Sequence, residues 1–261
     1  LTVQRYLKHL HDAGNARRTR ARSLTVIRQT YRALVAAEII QVNPAREVDN
    51  IKVDQDPVTP WLNEGEMKQL LARPAESANW SWMKRRDWLI CAAFLGLGLR
   101  RTEIATLRGD QFSGQRGGGG QILKVRVKGS RDGFVPVPVW LAAELDGWRL
   151  ENKSGPGPIF VARPGGDQAV SGNTVYLAVK RMAAITGVSV KRAAPHAIRR
   201  SFITITGQRD VPIRDRQRSV LHKNQRTTEG YDRATEIADC APGEVLADLV
   251  GLVATKKRGK R

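Results

Sequence analysis

Apolar residues return at three- and four-residue steps through residues 1–42, with Leu24, Ile27, Tyr31, Leu34 and Val35 forming one stripe. That is the period of an amphipathic helix. Arg18, Arg22, Arg28 and Arg32 lie off the stripe and are expected to face solvent or phosphate. Asn43-Pro44 closes the pattern, because proline cannot continue a helix and restricts the residue before it. Residues 51–60 contain Pro57 and Pro60 and predict an extended linker between a small helical unit, 1–50, and a larger domain, 61–261. Asn63 and Glu66, three apart just before Met67–Leu71, form the pattern of a capping box that opens a new helix. Trp82–Leu95 reads as a very apolar helix ended by Gly96 and Gly98, and Arg101–Leu107 as another.

The period then changes. In Ile122–Val127 the residues Leu123, Val125 and Val127 share one face, with Lys124, Arg126 and Lys128 on the other. Phe134–Val139 has the composition of a second strand, so a two-stranded hairpin with a basic turn over Lys128–Gly133 is predicted. Gly117–Gly120 predicts a flexible turn, and Gly155-Pro156-Gly157-Pro158 a break. Asn173–Ile185 returns to a helical pattern, and short helices are expected from there to Tyr231. Gly243–Val253 predicts a last helix with Val245, Leu246, Leu249, Val250 and Val253 on one side, and the basic run Lys256–Arg261 predicts a disordered tail. The fold class is mainly α with a small β-element (α+β).

Composition narrows the partners. A chain of 261 residues suits one large or two small domains, each able to bury a core. It has no apolar run of about 18 residues and no signal-peptide pattern. Nothing in it points to a membrane or to export, and a cytoplasmic place at the nucleoid is expected. The formal net charge of +19 rewards contact with a polyanion. There is no basic amphipathic lipid-binding helix, and the charge is spread through both halves, so nucleic acid is the expected partner. Cys91 and Cys240 fit no zinc spacing, and His9 and His11, two apart, fall on different helix faces. Neither a metal nor another cofactor is expected.

Against that background six residues stand in order: Arg100, Lys128, His196, Arg199, His222 and, nine residues later, Tyr231. Arginines grip the non-bridging oxygens of a phosphate bidentately. A tyrosine supplies a nucleophile, a lysine protonates a leaving oxygen, and imidazoles move protons near neutral pH. Arg101 competes with Arg100 for the first role, and Lys124 with Lys128 for the general acid. His196 and Arg199, three apart, are expected on one side of a helix, with Arg200 turned to the DNA backbone or the surface. Tyr6 and Tyr31 fall on apolar stripes and Tyr176 lies among apolar residues, whereas Tyr231 lies in the polar stretch Thr227–Arg233.

The local contexts resemble the tyrosine recombinases, the integrase family of phages and mobile elements. Gly98-Leu99-Arg100-Arg101-Thr102-Glu103 is similar to that family's first arginine box, and Val127-Lys128-Gly129 with Val135-Pro136 to its lysine hairpin. Pro195-His196-Ala197-Ile198-Arg199 is similar to its second box, and Leu221-His222 with Thr227, Thr228 and Tyr231 to its last. The resemblance is strong over residues 60–235 and looser over residues 1–50. It implies a helical core-DNA-binding (SAM-like) domain, here expected to lack its first half, joined to a catalytic domain. It implies Glu103 as the support of Arg100, Tyr231 as the nucleophile, and cleavage of an attachment site in double-stranded DNA without metal or ATP. It further implies a homotetramer on two DNA sites, room for accessory proteins, and a C-terminal helix expected to dock into the neighbouring protomer, the alternative being that it folds back onto its own domain. The alternatives are topoisomerase-like relaxation of the type IB class and a catalytically idle DNA-binding relative. One departure stands out: the family usually has glycine directly before the last histidine, where this chain has Leu221, a change able to shift the turn there, with the role of His222 still expected.

Overall fold

The computed structural model describes residues 2–53, 61–72, 80–116, 120–127, 131–221 and 242–251. The chain falls into two compact units, Leu1–Thr59 and Pro60–Arg261. The linker expected over 51–60 lies largely outside the described residues.

In the first unit, helix α1 (Thr2–Asp12) packs on α2 (Arg17–Ala36). Val3, Leu24 and Ala45 are buried at its centre, ringed by Leu7, Ile27, Tyr31, Val48 and Ile51. Leu24, Ile27 and Tyr31 of the predicted stripe thus join the core, while Leu34 and Val35 are half-buried. Arg18, Arg22 and Arg32 are exposed as expected for that face. Arg28 departs from it: Nε donates to the Ala45 carbonyl at 3.1 Å, and the terminal nitrogens reach the Val48 carbonyl and Asn50 Oδ1. Its guanidinium ties the 45–50 turn to α2, which makes Arg28 a brace within the unit.

The second unit opens with α3 (Glu64–Leu70). Asn63 Oδ1 accepts from the Glu66 amide, and Glu66 Oε2 from the Asn63 amide, each at 2.9 Å. Helix α4 (Trp82–Leu97) is buried around nearly its whole circumference, which is why its sequence is apolar on all faces. α6 (Val139–Glu151), α7 (Gly172–Thr186), α8 (Pro195–Gln208) and a C-terminal 3-10 segment (Pro242–Val250) all pack on it. The charged pair inside this helix is matched. Asp87 accepts from Arg86 and from Arg181 of α7, while Arg86 Nη1 donates to the Val161 and Ala162 carbonyls, pinning that loop to the core.

The short α5 (Arg101–Ala105) follows α4 and leads through a 3-10 turn, Gly109–Gln111, into the sheet. That sheet has three antiparallel strands in the order β1-β2-β3: β1 (Phe112–Arg116), β2 (Gly120–Val127) and β3 (Arg131–Val137). Leu123 and Val125 face the core while Lys124 and Arg126 face out. Three expectations are corrected. The hairpin has a third strand, β3 begins at Arg131 inside the expected turn, and Val139 opens α6 instead of ending a strand. Pro138 sets that boundary, since its fixed φ suits the residue leading into a helix and it lacks the amide a strand would use.

The C-terminal segment is a 3-10 helix over Pro242–Val250 where an α-helix over Gly243–Val253 was expected; the last two of those residues lie outside the described ones. Leu246, Ala247, Leu249 and Val250 are buried. Trp140 Nε1 donates to the Gly243 carbonyl at 3.1 Å, and the Val139 amide to Glu244 Oε2 at 2.8 Å. Arg209, at the end of α8, clasps Glu64 of α3 and Asp248 through bidentate pairs, and also donates to the Val245 carbonyl. In this single chain the segment is seated on its own domain.

Candidate active site

Three elements converge on two arginines. α4 ends at Gly98 in the left-handed region, φ 61°. A Cβ on Gly98 would stand 2.6 Å from Phe202 Cδ1 and 3.0 Å from Val220 Cγ1. Glycine is therefore required twice here, by conformation and by the close approach of α8. Leu99 is fully buried and nails the turn down, leaving Arg100 at the mouth of α5.

Glu103 organises that mouth. Its Oε2 accepts from the Arg100 amide at 2.6 Å and its Oε1 from Arg100 Nη1 at 2.8 Å. Oε2 also lies 4.0 Å from Arg199 Nη1, so one carboxylate serves both cations. Arg101, the competitor from the sequence, is exposed and its side chain runs beside Gly172 at the start of α7. It takes no part in the Glu103 cluster.

Arg199 reaches the site from α8, whose start is set by Pro195 at the first helical position. The residue is 5% exposed. Its Nη1 donates to the Gly98 carbonyl and its Nη2 to the Val220 carbonyl, both at 2.6 Å. Burial, then the neighbouring Arg100 cation, bring the guanidinium down to about 10, with Glu103 pulling the other way. It remains charged at neutral pH. A buried cation held from behind by carbonyls and crowded by a second cation gains from any anion placed against it. Phosphate, with oxygens to spare for both forks, has the right chemistry.

His196, one turn before Arg199, is exposed on the same helix, so the pair differs in burial while sharing α8. Arg200 is half-buried. Lys124 Nζ pairs with Asp132 Oδ2 across β2 and β3 at 2.9 Å, which engages the competitor for the general-acid role. Lys128, His222 and Tyr231 lie outside the described residues. Of the other tyrosines, Tyr176 carries Lys180 Nζ 5.2 Å from its ring centre and Tyr6 is 46% exposed in the first unit. Among the described residues no group of three or more His, Cys, Asp or Glu side chains is placed to hold a metal ion. Sequence reasoning did not anticipate the two main-chain carbonyls that hold Arg199. Gly98 offered the one signal, as a glycine beside a candidate arginine.

A carboxylate shared between two converging arginines, on a mostly helical domain with a small antiparallel sheet, has the chemistry to receive a phosphate. Residues 60–236 match the phage integrase family, and the chain belongs to that family. It is 31% identical over 237 residues to the tyrosine recombinase XerA of Thermococcus kodakarensis, spanning 88% of this chain and 76% of that protein. It is 27% identical over 225 residues to the tyrosine recombinase XerD of Pseudomonas putida, spanning 84% and 72%. Among solved structures, a lambda integrase dimer bound to a COC′ core site superposes with a TM-score of 0.60 at 15% identity, over 88% of this chain and 81% of that one. At that identity the likeness speaks for the fold.

Proposed function

We propose that this tyrosine-class site-specific DNA recombinase cuts and rejoins double-stranded DNA through a covalent link at Tyr231. The Tyr231 hydroxyl attacks a scissile phosphorus, the bond to the 5′-oxygen breaks, and a 3′-phosphotyrosyl link forms. Lys128 gives its proton to the departing 5′-oxygen, and His196 assists removal of the phenol proton. Arg100 and Arg199 hold the non-bridging oxygens, where negative charge grows in the transition state. Glu103 keeps both guanidiniums in place, and His222 adds a hydrogen bond. The phosphotyrosine conserves the energy of the broken bond, so rejoining needs no ATP. A 5′-hydroxyl from a partner duplex then attacks the link, passing through a Holliday junction on a homotetramer holding two sites. Arg18, Arg22, Arg32 and Arg200 contribute to the DNA backbone contact that the charge of +19 favours.

The observation that carries this reading is the arginine cluster, one member buried and both tied to Glu103. Such a pair is pre-set for a developing anionic charge. The test is covalent trapping on nicked suicide DNA followed by denaturing gels. The parent is expected to form an adduct, and Tyr231→Phe to bind DNA and form none. An adduct in Tyr231→Phe would move the nucleophile elsewhere.

A further inference from the structure

Four non-glycine residues among those described have positive φ: Glu38, Lys153, Asp210 and Leu221. The first three are charged and exposed. Leu221, φ 51°, is apolar, half-buried and packed against the main core. A side chain with a Cβ is disfavoured in the left-handed region, and glycine is the usual occupant of the position after a helix C-cap. Leu221 fills that position behind α9 (Ile213–Ser219), whose C-cap is Val220. The leucine adopts the backbone conformation that a glycine would.

The peptide plane between Val220 and Leu221 is bonded at both ends. The Val220 carbonyl accepts from Arg199 Nη2 at 2.6 Å, and the Leu221 amide donates to the Arg218 carbonyl at 3.1 Å. The Val220 side chain, 1% exposed, faces Gly98. With that plane fixed, the direction of the Leu221 side chain determines φ, and the core contact determines that direction. Glycine in the same place would be free to visit φ of either sign.

We propose that Leu221 is a positioning residue. Its core-anchored side chain locks a left-handed reversal that presents the Val220 carbonyl to Arg199. This rests on the recombinase site described above. Strained residues persist where the surroundings over-determine them, and they gather at functional sites.

Leu221→Gly removes strain and anchor together, Leu221→Ala removes only the anchor, and Leu221→Met restores an apolar anchor of similar volume. The readouts are single-turnover cleavage of suicide DNA at saturating protein, the Kd from gel shifts, and the thermal midpoint. At saturation Leu221→Gly and Leu221→Ala are expected to cleave at least about tenfold more slowly with Kd within about twofold of the parent, and Leu221→Met within about threefold in rate. Rates are scaled to the folded fraction, so a purely structural role would lower the midpoint and leave the scaled rate alone. A Leu221→Gly protein cleaving at the parental rate, or a slow Leu221→Met, would overturn the proposal while leaving the recombinase reading intact. A parent that forms no adduct on any substrate would overturn both.

Discussion

Arg199 offers the sharpest test of how the site works, because its guanidinium is held by two carbonyls, at 2.6 Å each, and shares Glu103 with Arg100. Arg199→Ala deletes one of the two forks proposed to grip the phosphate. Loss of a single pre-organised donor to a developing oxyanion costs about 2.7–4 kcal/mol, a slowing of about 10²–10³-fold. Arg199→Lys keeps the charge but offers a point ammonium in place of a planar fork. It cannot reproduce both carbonyl contacts, and a slowing of at least about tenfold is expected. Binding should weaken by only a few-fold, since many other cations meet the DNA backbone. Folding stability is affected in both directions. The Gly98 and Val220 carbonyls lose their donor, at about 1–3 kcal/mol for each one left unsatisfied, while a cation whose burial is itself unfavourable disappears. The assay is therefore single-turnover cleavage at saturating enzyme, with chemical denaturation run in parallel to confirm that each variant is folded. An Arg199→Ala protein that cleaves within about tenfold of the parent, a loss of only about 1.4 kcal/mol, would refute the phosphate-gripping role.

Arg209→Ala should lower folding stability by about 1–3 kcal/mol, discounted because both acidic partners are over a third exposed. Arg209 holds the carboxyl groups of Glu64 and Asp248 below their usual range through hydrogen bonds. That stabilisation is present above the ordinary carboxylate pKa and is lost as pH falls through the depressed values, so urea midpoints of parent and variant should converge in acid. Gly98→Ala places a methyl 2.6 Å from Phe202 at a positive φ. It should cost about 2–4 kcal/mol and slow cleavage by moving the carbonyl that holds Arg199, read by calorimetry and the cleavage assay. Lys124→Ala breaks the pair with Asp132 and should leave cleavage near the parental rate, whereas Lys128→Ala should cripple it. A 5′-bridging phosphorothiolate substrate, whose leaving sulfur needs little protonation, should rescue Lys128→Ala; rescue of Lys124→Ala in its place would reverse the assignment.

Local signals carried well where they matched local structure. The capping box at Asn63 and Glu66 forms as its spacing predicts, and the alternation in β2 separates core from surface. Gly98-Leu99-Arg100 with Glu103 was legible because one tight turn and one short helix contain the whole arrangement. What the sequence hid depends on partners far along the chain. β1 reads Phe-Ser-Gly-Gln-Arg, a polar, glycine-bearing run without alternation that exists because β2 pairs with it. α6 is buried at Trp140, Leu141, Ala142, Leu145 and Trp148, and its opening Val-Trp-Leu is as suited to a strand as to a helix. Arg28 was grouped with the basic face by its helical phase, but the turn after Pro44 brings carbonyls to it. Arg209 gave no local sign, since its carboxylate partners lie 145 and 39 positions away. The turn at Leu221 shows the opposite case, a leucine in the left-handed conformation that glycine usually occupies.

The central claim is that Tyr231 becomes covalently joined to a 3′-phosphate in a site built on Arg100 and Arg199. It is tested most directly by digesting the trapped protein–DNA adduct with nuclease and protease and locating the nucleotide remnant by mass spectrometry. The expected result is a nucleotide esterified to Tyr231 in the parent, greatly reduced in Arg100→Ala and Arg199→Ala. A remnant on Tyr176 or on a serine, or an adduct undiminished by loss of both arginines, would contradict the account.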